Sequence, residues 1–257
     1  MRTTKHSVLF IACTHGNETI GVDGMRVITS TGQDRVDWII GNELAYKAGT
    51  RSTDGRTGGD LNRSAPGRLG SLRYEERRAA EILLLARQYK YVVDLHGCPG
   101  QCGVFIIISK ITRATLQLAS LFPITRIVLW PQAKGAHAGA TTAFVDCGIS
   151  VECGDEREDA TLRELTQALD GFLHQLHKSK NVLPQALQGR EIYQVVGVIP
   201  SKESQQYPNL TEFGVVNVDG VEQRSLFVDL YPLTHAILLR PVTADEALAL
   251  LRKGGRP

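Results

Sequence analysis

Two kinds of hydrophobic pattern alternate along the first two-thirds of the chain. Short segments that are apolar throughout predict strands buried on both faces, whereas segments with apolar residues three and four positions apart predict amphipathic helices. Buried strands that alternate with helices predict an α/β fold whose central sheet is mainly parallel and covered by helices. By these criteria we predict strands at residues 8–12, 36–40, 91–95, 104–108, 126–130 and 149–152, and helices at residues 18–28, 73–88, 112–121 and 158–177.

The pattern changes in the last third of the chain. Short alternating runs, separated by glycine, proline and asparagine, predict a series of short strands before a last helix at residues 244–251. We therefore predict an α/β domain at residues 1–180 and a small β-rich domain at residues 181–257. The runs that predict the C-terminal strands are residues 192–199, 214–218, 225–228 and 236–239.

The composition is that of a globular protein and changes this picture little. The 257 residues, of which 42% are hydrophobic, suit one large domain with or without a small appendage. A formal net charge of +2 gives no indication of a nucleic-acid partner, and no apolar run approaches the ~18 residues of a membrane span. Five cysteines, an odd number, and a first strand with no signal-peptide cleavage site near it predict a protein of the reducing cytoplasm. The sequence leaves a homo-oligomer open.

A candidate metal site begins directly after the first predicted strand. His15 and Glu18 lie three residues apart where this strand becomes a helix, so their side chains can point to one spot. Imidazole and carboxylate groups are good zinc ligands, and a catalytic zinc ion usually takes three of them. His96 follows a later strand, at the end where open α/β sheets place ligand-binding groups. These three residues are the predicted ligands, although each histidine alone also fits a structural role.

A candidate general base ends the last predicted strand of the α/β part. Glu152 follows an apolar run, where burial of an unpaired carboxylate would be costly. Beside a zinc site, such a glutamate could take a proton from water and return it to a leaving amine. A salt-bridged glutamate at a strand end is the alternative interpretation.

The polar, glycine-rich stretch at residues 41–71 contains several arginines. Arg51, Arg56 and Arg63 lie in it, and Asn62 precedes the last of them. A guanidinium group presents a planar fork that suits a carboxylate, so these residues beside a zinc site predict an anionic substrate. A solvated loop is the alternative, which we favour for the arginines beyond Arg63.

In combination, the motifs resemble those of the aspartoacylase and succinylglutamate desuccinylase family, which is related to zinc carboxypeptidases. The resemblance implies a zinc carboxypeptidase-like fold, one zinc ion per chain, and a β-rich C-terminal module. It also implies hydrolysis of a small anionic N-acyl amino acid, such as N-acetylaspartate or succinylglutamate, to a carboxylate and a free amino acid. The motifs, in the family's order, are His15-x-x-Glu18, Arg51, Asp60-Leu61-Asn62-Arg63, Asp94-Leu95-His96 and Val151-Glu152-x-Gly154.

The resemblance assigns roles beyond those of the three ligands and of Glu152 as base and then acid. It implies that Arg51 polarises the scissile carbonyl and stabilises the oxyanion, while Asn62 and Arg63 bind a substrate carboxylate. By the same comparison, Asp60 would hydrogen-bond the far nitrogen of His15, which fixes the orientation of a metal-binding histidine.

The sequence departs from the family pattern at three places. Extra glycine-rich residues precede Asp60, so Arg56 could take the role of Arg51. The arginine that aspartoacylases carry after a Thr-Thr pair is missing between Thr142 and Glu152, which leaves an aspartate-type substrate unsupported. Tyr231 is the candidate for the family's C-terminal tyrosine that holds the substrate.

Two other functions fit parts of the same pattern. A metallocarboxypeptidase acting on small peptides would use the same zinc ligands, with the peptide's terminal carboxylate at Asn62 and Arg63. A non-catalytic binding protein on the same fold is a third reading, and the complete ligand set with Glu152 argues against it.

Overall fold

The computed structural model describes residues 6–30, 36–53, 59–132, 136–178, 183 and 185–253. The strands are β1 His6–Ala12, β2 Asp37–Ile40, β3 Tyr89–Gly97, β4 Gly103–Ile108, β5 Arg126–Leu129, β6 Gly148–Gly154, β7 Glu191–Pro200, β8 Val215–Val218, β9 Val221–Leu226 and β10 Thr234–Val242. The α-helices are α1 Ile20–Ser30, α2 Glu43–Ala48, α3 Tyr74–Ala86, α4 Arg113–Ser120, α5 Thr141–Phe144, α6 Asp159–Lys178 and α7 Ala244–Lys253. None of these described helices is both long enough and apolar enough to cross a membrane.

The described strands form one sheet in the order β2-β1-β3-β6-β4-β5-β7-β10-β9-β8. The first four strands of this order are parallel to one another, and β4 is antiparallel to β6 but parallel to β5. The C-terminal strands β10, β9 and β8 pair in antiparallel fashion. The prediction of a mainly parallel α/β sheet followed by a β-rich part is therefore confirmed.

Helices cover both faces of the parallel strands. Successive side chains of a strand point to opposite faces, so neighbours on β1 enter different cores. Phe10 packs against Phe172 of α6, with their ring centroids 5.9 Å apart, whereas Ile11 packs in a second cluster with Ile82 of α3. Burial of a side chain of this size contributes roughly 1.5–3 kcal/mol to folding. Residues of α1, α4 and α6 lie in the first core, and residues of α3 lie in the second.

The sheet continues without a break into the C-terminal part. Ile192 and Tyr193 of β7 pair in parallel with Ile127 and Val128 of β5. Helix α7 then returns to the α/β part, where Ala247 is buried in the first core. The predicted boundary between residues 180 and 181 lies outside the described residues, and the division into two domains stays a prediction.

Helix α2 lies in the glycine-rich stretch that the sequence analysis left without helices. It is six residues long and is capped at its N-terminus by Asn42, whose side chain accepts a hydrogen bond from Ala45 N. Among the residues of this helix only Ala45 is buried. A helix this short buries too little to produce an apolar repeat in the sequence, so periodicity could not predict it.

Candidate metal centre

Three neighbouring strands bring the predicted site residues to one edge of the sheet. Because β1, β3 and β6 are adjacent and parallel, their carboxyl ends lie side by side. His15 and Glu18 follow β1, and His96 of β3 lies opposite Glu152 of β6 in the strand register. This edge is where open α/β sheets bind ligands.

The turn that carries His15 and Glu18 is fixed by its own backbone. Glu18 N donates a hydrogen bond to His15 O at 3.1 Å, which folds the two side chains toward each other. Gly16 lies so close to α2 that an added Cβ would stand 2.1 Å from the carbonyl carbon of Ala45. Only glycine fits there, and the contact holds the turn against its neighbour.

The side chains of His15, Glu18 and His96 converge in a buried cluster. Nδ1 of His15 lies 2.7 Å from Oε1 of Glu18, and Nδ1 of His96 lies 3.0 Å from Oε2. The ligand atoms of the three residues all lie within 4.8 Å of one another. Two imidazole nitrogens and a carboxylate in this arrangement are a donor set that fits a divalent metal ion.

A carboxylate lies behind each histidine. Oδ1 of Asp60 lies 3.0 Å from Nε2 of His15, and Oδ2 of Asp94 lies 3.1 Å from Nε2 of His96. Asp94 is itself held by Thr14, whose hydroxyl donates a hydrogen bond to its other oxygen at 2.7 Å. Such partners leave Nδ1 of each histidine free to bind a metal. Asp60 was named from the resemblance, but the contact of Asp94 with His96 was missed.

The charge of Glu18 suits a metal ligand. Burial opposes its ionisation, but the hydrogen bonds from His15 and His96 outweigh that effect and lower the pKa of Glu18 to about 2. Gly97 N also donates to Oε2 of Glu18 at 3.3 Å. The carboxylate is therefore ionised and oriented at neutral pH.

Glu152 lies half-buried in the wall of the cavity next to this cluster. Burial raises the pKa of Glu152 to about 7, with the negative charge of Glu18 adding to the effect. Among the described residues, none forms a hydrogen bond or an ion pair with the Glu152 carboxylate. The alternative of a salt-bridged glutamate thus finds no partner in the part of the chain that the structure describes.

Arg51 reaches the cluster, whereas Arg56 lies outside the described residues. One guanidinium nitrogen of Arg51 lies 3.3 Å from Oε1 of Glu18, and another lies 3.0 Å from Oδ2 of Asp60. Arg51 also lines the cavity beside this cluster.

Asn62 and Arg63 also line the same cavity. Oδ1 of Asn62 is buried and has no hydrogen-bond partner among the described residues. Arg63 is exposed and donates a hydrogen bond to Asn62 O at 3.0 Å, and no described carboxylate pairs with it. These two side chains are therefore available to a ligand.

The C-terminal part supplies one wall of the cavity. Tyr231 lines it together with Phe227, and their ring centroids lie 5.6 Å apart. Burial raises the pKa of Tyr231. The backbone nitrogens of Phe227 and Val228 donate hydrogen bonds to Glu212 at 2.6 and 3.0 Å, which holds this wall in place. Phe227 was missed because only the folded chain brings it near the metal cluster.

The cavity has two connected parts. The first cavity, of about 230 Å³, is lined by the side chains of the metal cluster together with Arg51 and Glu156. The second cavity, of about 400 Å³, extends away from the cluster past Trp130 and Gln132. The two share Asn62, Arg63, Glu152, Phe227 and Tyr231 in their walls.

Comparison with known families gives one match that covers most of the sequence. Residues 4–178 match the model of the succinylglutamate desuccinylase/aspartoacylase catalytic domain. All the predicted metal ligands, Glu152 and the arginine-rich stretch fall within these residues. A comparison with curated protein sequences finds no match.

Solved structures with the same fold include three related enzymes. Succinylglutamate desuccinylase from Chromobacterium violaceum is 20% identical over 93% of this chain and 85% of its own, with a TM-score of 0.67. Murine aminoacylase 3 is 18% identical over 94% of this chain and 97% of its own, with a TM-score of 0.69. A succinylglutamate desuccinylase/aspartoacylase from Rhodobacter sphaeroides is 15% identical over 93% of this chain and 87% of its own, with a TM-score of 0.65. At these identities the comparison establishes the fold.

Proposed function

This chain belongs to the succinylglutamate desuccinylase/aspartoacylase family, and from that premise we propose that it is a zinc-dependent amidohydrolase. It would hydrolyse the amide bond of an N-acyl amino acid to a carboxylate and a free amino acid. The observation that carries the proposal is the buried cluster of His15, Glu18 and His96 in the same cavity as Glu152, whose carboxylate has no partner among the described residues.

We propose that one zinc ion per chain is held by the two histidines and Glu18. Three nitrogen and oxygen ligands beside an open cavity are typical of catalytic zinc, whereas structural zinc usually has four protein ligands. The chemistry that zinc supplies when bound is Lewis acidity, which acidifies water and polarises a carbonyl oxygen. Asp60 and Asp94 would hold the two imidazoles in the orientation that this requires.

Glu152 would carry the proton. A carboxyl group with a pKa of about 7 exchanges protons readily at neutral pH. In the forward reaction it would accept a proton from the attacking water. It would then donate that proton to the amide nitrogen, so that the C–N bond breaks and the amino acid leaves as a free amine.

The basic and polar residues around the cavity would bind and polarise the substrate. Arg51 would stabilise the charge that develops on the carbonyl oxygen, a contact worth roughly 3–4 kcal/mol in comparable sites. Asn62 and Arg63 would bind the substrate carboxylate, and Tyr231 would contact the bound substrate from the C-terminal wall. Arg56 keeps its predicted role as an alternative to Arg51.

The C-terminal residues would restrict the size of the substrate. We propose that residues 181–257 act as a small domain whose segment from Phe227 to Tyr231 narrows the cavity. This supports an N-acyl amino acid over a peptide, and thus a deacylase over a metallocarboxypeptidase. The five cysteines are free and buried, which supports a reducing compartment, and we propose the cytoplasm.

The test combines metal analysis with a substrate screen. Protein purified without chelator should contain about one zinc ion per chain by the three-ligand argument, and it should release amine from at least one N-acetyl, N-formyl or N-succinyl amino acid. Short peptides, assayed in parallel, should be poor substrates.

Two outcomes would reject the proposal. A protein that binds no metal even after zinc is added back would not be a zinc hydrolase. A protein that binds zinc but cleaves short peptides faster than every N-acyl amino acid would be a carboxypeptidase.

A further inference from the structure

A pair of cysteines lies beside the metal cluster and has no part in the proposed reaction. Cys98 begins and Cys102 ends the loop between β3 and β4, and their Sγ atoms lie 3.2 Å apart. We propose that these two thiols are a site of reversible oxidation, at which a small peroxide joins them as a disulfide that lowers activity at the metal cluster. The effect on activity rests on the proposed function, whereas formation of the disulfide does not.

The two sulfurs are placed for a bond to each other. Bonded sulfurs lie about 2.05 Å apart, so the pair has to close by only about 1.2 Å. Both sulfurs also pack against Gly154, where an added Cβ would lie 2.5 Å from Sγ of Cys102 and 2.8 Å from Sγ of Cys98. The end of β6 therefore holds the two side chains against the same backbone position.

A metal ion held between the two sulfurs is the alternative. Two thiolates of a tetrahedral zinc site, each about 2.3 Å from the ion, lie about 3.8 Å apart. That separation is larger than the 3.2 Å between these sulfurs. In the part of the chain that the structure describes, the only cluster with three possible metal ligands is that of His15, Glu18 and His96. The spacing, and the lack of a described third ligand, favour a disulfide.

Cys98 is the sulfur that a small oxidant reaches first. It lines the first cavity and is 8% exposed, whereas Cys102 is 1% exposed and lines neither of the two cavities. The hydrogen bond with Cys98, together with burial, raises the pKa of Cys102. Because a sulfur with a raised pKa is less reactive, Cys102 reacts second.

The reaction balances with one molecule of hydrogen peroxide as the oxidant. The sulfur of Cys98 attacks one peroxide oxygen and the O–O bond breaks, which gives a sulfenic acid and one water. The sulfur of Cys102 then displaces the hydroxyl group from Cys98, and the proton of Cys102 leaves with that hydroxyl as a second water. The two thiols lose two electrons in total, which reduce the peroxide. A dithiol reductant returns both thiols by exchange.

Cys98 is tied to the metal cluster through the backbone. It follows His96 by two residues, and the amide nitrogen of Gly97, between them, donates a hydrogen bond to Oε2 of Glu18 at 3.3 Å. A displacement of Cys98 would therefore move two proposed metal ligands relative to each other.

Cys102 is tied to the proposed base. It leads into β4, where Phe105 lies opposite Glu152 of β6 in the strand register. A disulfide would draw the two ends of the loop together by about 1.2 Å. A misplacement of about 1 Å in a catalytic site can lower the rate by about 10²-fold. We therefore expect oxidation to lower activity.

Peptide mapping of the zinc-loaded protein tests whether the disulfide forms. Trypsin releases residues 91–110 as one peptide, because Lys90 and Lys110 flank its cleavage sites. After treatment with hydrogen peroxide, we expect this peptide to lose two hydrogen atoms and to resist alkylation until a dithiol reductant is added. Cys98→Ala and Cys102→Ala should each abolish that product. Two alkylated cysteines in the peroxide-treated native peptide, or a sulfonic acid at Cys98, would overturn the proposal.

Activity and metal affinity test the consequence of the disulfide. On oxidation, kcat/KM should fall at least about tenfold, and zinc affinity, measured by competition with a chelator, should fall at least about tenfold. Both should recover with the reductant. Peroxide-treated Cys98→Ala should keep the values of its own untreated sample. An equal loss in Cys98→Ala, or unchanged values in native protein with the mapped disulfide, would overturn the proposal.

A matched control and the protein without substrate complete the test. Cys147→Ala replaces a buried cysteine at the other end of β6 and should respond to peroxide as the native protein does. A mapped disulfide that reversibly lowers zinc affinity, in a protein that cleaves no N-acyl amino acid, would support the oxidation site and reject the proposed hydrolase. Turnover that is unchanged after peroxide treatment would support the hydrolase and reject the oxidation site.

Discussion

The two sides of the cavity differ in how their polar groups are paired. On the metal side, each histidine lies between two carboxylates. His15 is hydrogen-bonded to Glu18 and Asp60, whereas His96 is hydrogen-bonded to Glu18 and has a 3.1 Å contact with Asp94 that lacks hydrogen-bond geometry. These contacts hold the histidine and carboxylate side chains in position before any ligand binds. We call these five residues the metal side.

On the substrate side, the polar groups are left unpaired. Asn62 and Gln132 each have a buried atom without a hydrogen-bond partner among the described residues, and no described carboxylate neutralises Arg63. Glu152 completes this group, which we call the substrate side. The free energy lost by leaving such groups unpaired is recovered when a ligand pairs with them.

The difference supports the proposal that one side binds a metal ion and the other binds an organic substrate. A metal ion needs ligands that are already in position, and partners behind the ligands hold them there. A substrate must supply hydrogen-bond partners itself, so the residues that recognise it are selective only while they are unpaired. Variants on the metal side should therefore change metal binding, whereas variants on the substrate side should change substrate binding or turnover.

Loss of a metal ligand should have the largest effect. His96→Ala removes one of the three proposed ligands, and we expect loss of both bound zinc and amidohydrolase activity to background. Metal analysis and amine release measure the two effects. His174→Ala, at an exposed position of α6 that lines neither cavity, is the matched control and should retain both. Stoichiometric zinc in His96→Ala would remove His96 from the ligand set.

A change at Glu152 should separate activity from metal content. We expect Glu152→Gln to lower kcat by about 10²–10⁴-fold, the usual contribution of a general base, because an amide cannot accept the proton from water. Bound zinc, measured on the same preparation, should be unchanged. Near-native turnover by this variant would show that another group carries the proton.

Substitution of a residue that orients a histidine should have a smaller effect, and that effect should be limited to metal affinity. For Asp94→Asn we expect zinc affinity to fall by about 10–100-fold, since an amide orients His96 less well than a carboxylate does. Thr14→Val removes only the hydrogen bond to Asp94, and its zinc affinity should lie between those of Asp94→Asn and the native protein. Competition with a chelator measures the affinities. A KM increase at saturating zinc would instead place Asp94 on the substrate side.

The smallest effect concerns the wall that the C-terminal part contributes. The hydrogen bond to Asp229, 2.7 Å from Nδ1 of His235, raises the pKa of His235, and a hydrogen bond to Tyr207 O adds to this effect. Because the folded pKa is raised, the stabilisation is complete below the ordinary histidine pKa and disappears as pH rises through the folded value.

The variant Asp229→Asn should therefore lower Tm at pH 5.5 but not at pH 8.5. Asp229 is exposed, so the expected loss is less than about 1 kcal/mol. Thermal unfolding at the two pH values measures it. An equal decrease in Tm at both pH values would show that the contact stabilises the protein without a charge on His235.

The parts of the fold with a repeating pattern could be predicted from the sequence. Strand β1 and helix α3 carry enough apolar residues for their periods to be visible, and His15-x-x-Glu18 lies at a recognisable junction between strand and helix. Short elements could not be predicted in this way. Helix α2 has only one cap, Asn42, and one buried residue, Ala45, which is too little to form a visible repeat.

The parts of the site that depend on tertiary contact could not be predicted. Asp94 lies two residues before His96, so both point to the same face of β3, and that spacing was the available signal. Nothing in the sequence near Phe227 or Gln132 indicates that they meet Glu152 in one cavity. The roles of Arg51, Asn62, Arg63 and Tyr231 remain predictions that the structure makes testable.

The position of β6 in the sheet has a consequence for how the protein is made. This strand lies between β3 and β4, although residues 148–154 follow both of these strands in the chain. A ribosome therefore releases β3 and β4 with facing edges unpaired, and unpaired edges can associate with other chains. Arrival of β6 closes that gap and delivers Glu152 in the same event. We expect the growing chain to depend on chaperones most until residue 154 has emerged, because its central sheet cannot close before the strand that carries Glu152 is made.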